Sequence, residues 1–136
     1  MTEAEERYAR NSKVIEEFRT NAGQTSGGPT LLLTTTGAKT GIERTVPVLY
    51  MPDGDRLLIF GSRAGSDKHP DWYHNLLNRP EVTVEVGPDK YQAKATPVTG
   101  EERDRLYTKN AAEHPIFAEY QTRTKRVIPV IALTKL

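Results

Sequence analysis

The sequence predicts a mainly β domain of the α+β class, a six-stranded antiparallel barrel with helices packed outside it. Three observations predict it. Six apolar or β-branched runs are separated by turn signals, their connections are of hairpin type with few βαβ units, and 136 residues suit one core. A barrel also closes its own edges, which suits a short chain.

Thr2 to Arg19 reads as a helix with Tyr8, Val14, Ile15 and Phe18 as its large apolar residues, and Asn21 to Pro29 as a Gly/Ser-rich loop. Leu31 to Thr36 is the first strand and Thr45 to Met51 the second. Pro47 has no N–H to give a ladder, so it marks an edge, a bulge or a ligand-facing position. Pro52-Asp53-Gly54-Asp55 turns the chain into Arg56 to Gly61, closing a hairpin. Glu81 to Val86 alternates with period two and turns through Gly87-Pro88-Asp89-Lys90 into Tyr91 to Val98. Val127 to Leu133 is the sixth strand, apolar enough to be central. Helices are expected over Pro70 to Asn78, from a capping box at Thr99-Gly100-Glu101-Glu102 toward Ala112, and from Pro115 to about Arg126.

Nineteen basic and 18 acidic residues leave a net charge of +1, which argues against a nucleic-acid binder and a polybasic membrane anchor. The absence of cysteine excludes disulfides, thiolate zinc sites and a cysteine nucleophile. No apolar run approaches a membrane span, and MTEAEERYAR has no apolar core of a secretory signal, so a cytoplasmic protein is expected. His69, His74 and His114 show no metal-ligand spacing, no GxSxG elbow is present, and Glu101 and Glu102 suit a helix start.

Three stretches can carry chemistry. In Gly37-Ala38-Lys39-Thr40-Gly41-Ile42-Glu43-Arg44, glycines allow close backbone approach and Lys39 and Arg44 supply cations for an anion; the plain alternative is a hairpin loop with solvated charges. In Gly61 to Trp72, small residues leave a strand and Arg63 and Lys68 precede a helix whose Trp72 and Tyr73 can wall an aromatic ligand or simply dock the helix. His114, Phe117 and Tyr120 share a helical stripe that is either a pocket lid or packing.

Taken in order, TTTGAKTGIERTVPVLYMPDGD, GSRAGSDKHPDWYHNLLNRPEVTVEV and HPIFAEYQTRTKRVIPVIAL resemble the deazaflavin-dependent nitroreductase family, reductases that use coenzyme F-420, an 8-hydroxy-5-deazaflavin. The resemblance spans roughly Leu31 to Leu136. It implies a split β-barrel of the pyridoxamine phosphate oxidase type over residues 30–136, preceded by a helical arm and loop over 1–29. It implies that Lys39 and Arg44, helped by Arg63, bind the coenzyme's phosphate or acidic tail, and that Pro47 and Val48 line its ring. Ser62, Ala64 and Gly65 would approach the ring's polar edge, and Trp72 and Asn75 border ring or tail. The acceptor is expected near His114, Phe117 and Tyr120, where nitroreductase members carry three tyrosines.

Phe117 can donate neither a proton nor a hydrogen bond, so the resemblance implies reduction of quinones or enones ahead of nitroaromatics. Tyr120, Ser62 or water are the candidate proton sources. The alternative is a non-catalytic carrier of a deazaflavin, flavin or apolar ligand. Expected partners are a quinone-like small molecule and no nucleic acid. The chain is expected to be a monomer whose contact with the inner face of the cell membrane is at most peripheral, because Glu3, Glu5, Glu6, Glu16 and Glu17 oppose anchoring of the first helix.

Overall fold

The computed structural model describes residues 2–136. Helix α1 spans Glu3–Thr20, and Thr2 is its cap, its hydroxyl accepting the Glu5 N–H at 3.1 Å, so the helix is shifted one residue from expectation. Acidic Glu3, Glu5 and Glu6 in the first turn suit the helix dipole, and Phe18 is the side chain it buries.

The strands are β1 (Thr30–Thr36), β2 (Glu43–Asp53), β3 (Arg56–Phe60), β4 (Glu81–Val86), β5 (Asp89–Val98) and β6 (Val130–Lys135). They close a barrel in the order β1-β2-β3-β6-β5-β4, every pair antiparallel, with β4 returning to β1 through Leu33 opposite Val84. Side-chain alternation splits the apolar residues into two cores. Leu31, Leu33, Ile59, Val84, Ile131 and Leu133 share the first, joined by Trp72 and Leu76 of α2 (Asp71–Asn78). Leu58, Phe60, Val130 and Ala132 point the other way, against Leu106, Tyr107 and Phe117 of helices α3 (Gly100–Glu113) and α4 (Ile116–Thr122).

The ladder of β2 positions everything that follows. Residues 43–49 pair with β1, whereas pairing with β3 is confined to Tyr50–Asp53 opposite Ile59–Arg56. The chain after β3 instead follows β6, with the Gly61 N–H donating to the Pro129 carbonyl at 2.9 Å. One side of β2 from residue 43 to 49 is therefore left open, and Pro47 sits in that stretch, where a missing donor removes no rung to β3.

Four expectations need correction. The capping box at Thr99 is not made: its side chain accepts no cap bond, and Glu102 pairs with Arg56 at 2.7 Å. The last helix stops at Thr122, short of Arg126. The sixth strand begins at Val130, after the Pro129 carbonyl has been used by Gly61. A 3-10 turn at Arg63–Gly65 was not expected.

Candidate active site

The opening beside β2 becomes a cavity of about 320 Å³. One wall is the unpaired stretch of β2, with Arg44, Val46, Pro47, Val48 and Leu49. A second is the segment from β3 into α2, with Ser62, Arg63, Ala64, Trp72 and Asn75. Phe117 and Tyr120 of α4 form a third, and Arg7 and Asn11 of α1 a fourth.

Ten of the residues singled out in the sequence thus meet in one cavity: Arg44, Pro47, Val48, Ser62, Arg63, Ala64, Trp72, Asn75, Phe117 and Tyr120. Lys39, Gly65 and His114 do not line it. Lys39 is exposed on the 37–42 loop, which folds on itself through Gly37 N–H to the Ile42 carbonyl. Gly65 is buried behind the wall, where a side chain would lie 2.9 Å from both the Tyr120 carbonyl and the Arg123 Cβ. Its lack of a side chain lets α4 seat against the loop. The His114 ring is 6.5 Å from that of Phe117, but His114 ends α3 with non-helical backbone, so the expected stripe is carried by Phe117 and Tyr120 of α4 alone.

Arg44 and Arg63 are in no ion pair among the described residues, so their charge is available to a ligand. Beside them the backbone is left-handed at three successive residues, Arg63, Ala64 and Gly65, with φ of 43°, 54° and 80°. For the two non-glycines this conformation costs about 1–2 kcal/mol each. Asn75 spends both ends of its amide inside the protein. Its Nδ2 donates to Thr35 Oγ1 at 3.1 Å and its Oδ1 accepts the Ala38 N–H at 3.0 Å, tying α2 to β1 and to the Lys39 loop. Trp72 is only 8% exposed and serves both as core and as wall.

Phe117 is wedged between Phe60 at 5.5 Å and Tyr120 at 5.6 Å between ring centroids. Its carbonyl accepts the Tyr107 hydroxyl at 2.6 Å. Burial, partly opposed by the charges of Arg103 and Arg126, pushes the Tyr107 hydroxyl above its ordinary pKa, so it stays protonated as that donor. The cavity therefore offers an apolar slot, unpaired guanidinium groups at Arg44 and Arg63, and the hydroxyls of Ser62 and Tyr120. That suits a planar ligand with an anionic tail. Sequence reasoning missed Arg7, Asn11, Thr35, Val46, Leu49 and Phe60 as lining residues. Of these, only the i,i+4 spacing of Arg7 and Asn11 carried a signal, since it puts both on one helix face.

A profile of the F420H(2)-dependent quinone reductase family matches residues 7–135. An F420H(2)-dependent quinone reductase of Mycobacterium tuberculosis is 42% identical over 112 residues, which cover 79% of this chain and 74% of that one. The solved structure of an F420-H2 dependent reductase is 38% identical and superposes with a TM-score of 0.70 over 77% of this chain and 93% of its own. A second solved structure, described as a domain-swapped dimer, is 33% identical with a TM-score of 0.72 over 88% and 94%. A solved structure described as a putative pyridoxamine 5'-phosphate oxidase from Listeria innocua, at 14% identity and a TM-score of 0.58 over 91% of each chain, shares the split barrel alone.

Proposed function

This chain belongs to the F420H(2)-dependent quinone reductase family and is an oxidoreductase using coenzyme F-420, and from that premise we propose that the cavity beside β2 holds the coenzyme and a quinone together. The donor set fits the coenzyme. Unpaired Arg44 and Arg63 and the left-handed backbone at residues 63–65 suit its phosphate and carboxylates, and Val46, Pro47, Val48 and Trp72 suit a flat ring. Exposed Lys39 suits the far end of the acidic tail. The single observation that carries this reading is that one cavity collects these cations, the apolar slot and the α4 aromatics, although they are scattered from residue 44 to 120.

The reduced deazaflavin supplies a hydride from its C5 when bound. The chain's residues hold the acceptor over the ring, exclude water and stabilise the oxygen that gains charge. Phe117 and Phe60 press the acceptor from the α4 side. Thr35 on the wall is already engaged by Asn75, so Tyr120 or Ser62 supplies the proton a hydroquinone oxygen needs. Arg7, reaching in from α1, suits the same oxygen before it is protonated. Because Phe117 holds no proton, quinones and enones are favoured over nitroaromatics. Family membership favours turnover over a carrier role. The domain-swapped relative favours a dimer over the monomer expected from sequence, and sedimentation equilibrium decides between them.

The test is a fluorescence titration with the coenzyme. Arg44→Ala and Arg63→Ala should each weaken binding by about 1.5–3 kcal/mol, the worth of one charged hydrogen bond. Oxidation of the reduced coenzyme with menadione should fall in parallel. Undiminished affinity in both variants would place the coenzyme elsewhere.

A further inference from the structure

The strained segment of the coenzyme wall is held from outside the cavity chiefly by one side chain, Arg126, with Arg123 adding a longer bond of 3.4 Å to the Ala64 carbonyl. The Arg126 guanidinium donates to the Gly61 carbonyl at 3.0 Å, the Ser62 carbonyl at 2.8 Å and the Ser66 carbonyl at 2.8 Å. A further N–H meets His69 Nδ1 at 3.1 Å. Four of the five N–H groups a guanidinium carries are so engaged, around the three left-handed residues 63–65. The neighbouring chain adds to the grip, since Thr124 Oγ1 donates to Asp67 Oδ1 at 2.8 Å. Without such bonds the left-handed stretch, with two non-glycine residues, relaxes toward ordinary backbone.

We propose that Arg126 is the positioning residue of the coenzyme site and that protonation of His69 releases its grip on the 61–66 loop. The proposal rests on the reading that the coenzyme lies in this cavity. To accept from Arg126, the His69 Nδ1 must carry a lone pair, so the ring is neutral with its proton on Nε2. A protonated ring presents a second N–H and a positive charge to a guanidinium that remains charged. The groups facing His69 are Arg126 from the segment before β6, and Tyr73 and His74 of α2, whose rings lie 4.6 Å and 5.7 Å away. No carboxylate is in an ion pair with it among the described residues. Burial first, then the charges of Arg126 and His74, lowers its pKa below the ordinary histidine value, in keeping with a ring built to be neutral.

The same loop carries the α4 wall. Gly65 lies against the Tyr120 carbonyl and the Arg123 side chain, so loosening residues 61–66 displaces both the Arg63 side of the coenzyme and Tyr120 on the acceptor side. One arginine far along the chain thus sets two walls of one site.

Coenzyme affinity is measured by fluorescence from pH 7.5 to 5.0 in the wild type, Arg126→Lys, His69→Asn and Arg44→Ala. Lysine cannot span four acceptors, so Arg126→Lys binds about tenfold more weakly at pH 7.5. Wild-type affinity falls by about tenfold on acidification. His69→Asn, whose Oδ1 accepts without titrating, loses that fall. The coenzyme's own titration is common to all four proteins and cancels in the ratio of variant to wild type. In ligand-free protein, the amide NMR signals of Ser62 to Ser66 follow the His69 ring with pH and stop moving in His69→Asn. Wild-type affinity in Arg126→Lys, an unchanged acid limb in His69→Asn, or amides indifferent to the His69 ring would each overturn the proposal. If Arg44→Ala weakens binding while the other two variants behave as wild type, only this inference fails. If Arg44→Ala binds as tightly as wild type, the location of the coenzyme fails with it.

Discussion

Phe117 joins three jobs: core filler against Phe60, wall of the cavity, and, through its carbonyl, acceptor for Tyr107. Phe117→Tyr places a hydroxyl in the cavity wall, and nitroaromatic turnover relative to quinone turnover should rise by about tenfold or more, read in parallel coenzyme-oxidation assays. Tyr107→Phe leaves the buried Phe117 carbonyl without its 2.6 Å partner and should cost roughly 1–3 kcal/mol in urea unfolding. Single residues were also the most legible part of the sequence. Arg44, Arg63 and Trp72 stood out because they lie in or just after glycine-containing loops, and Tyr120 because of its helical spacing from Phe117. Arg126 did not, because its partners are Gly61, Ser62, Ser66 and His69, from 57 to 65 positions away. A lone arginine before a strand looks like any solvated charge.

The strands were readable from alternation and turn residues, and the barrel follows from their hairpin connections. What periodicity does not encode is where a ladder stops. The cavity exists because β2 pairs with β3 only from Tyr50 onward, leaving the stretch before it open, and only the register shows it. Pro47 was the one local hint, and it sits in the open stretch. Boundaries failed where tertiary bonds displaced local ones. Glu102 chose Arg56 over the Thr99 cap, and Arg126 left the helix to hold a loop. The first helix is more than an arm. Its Arg7 and Asn11 line the cavity, while Arg19 at its far end pairs with Glu85 of β4 at 2.9 Å, so it crosses the barrel surface. Arg7→Ala should raise the KM for the quinone more than it lowers coenzyme affinity, measured by steady-state kinetics at saturating coenzyme.

The molecule as a whole is a closed barrel with a site hung beside the stretch of β2 that β3 leaves unpaired. Leu33 is fully buried at the β1–β4 closure, so Leu33→Ala should cost about 2–5 kcal/mol and lower thermal stability without addressing the site. Stability should also depend on pH through His69. A ring whose folded pKa is lowered takes its proton more readily when unfolded, so its contribution is complete above the ordinary histidine pKa. It is lost as pH falls from there through the folded value. His69→Asn should therefore flatten the melting temperature on the acid side of pH 6.5, the ordinary histidine value. The crystal structure of the coenzyme complex tests the central claim most directly. The ring should lie along Pro47 and Val48 with its phosphate beside Arg44 and Arg63. A coenzyme seated anywhere outside the gap between β2 and the loop after β3 would contradict it.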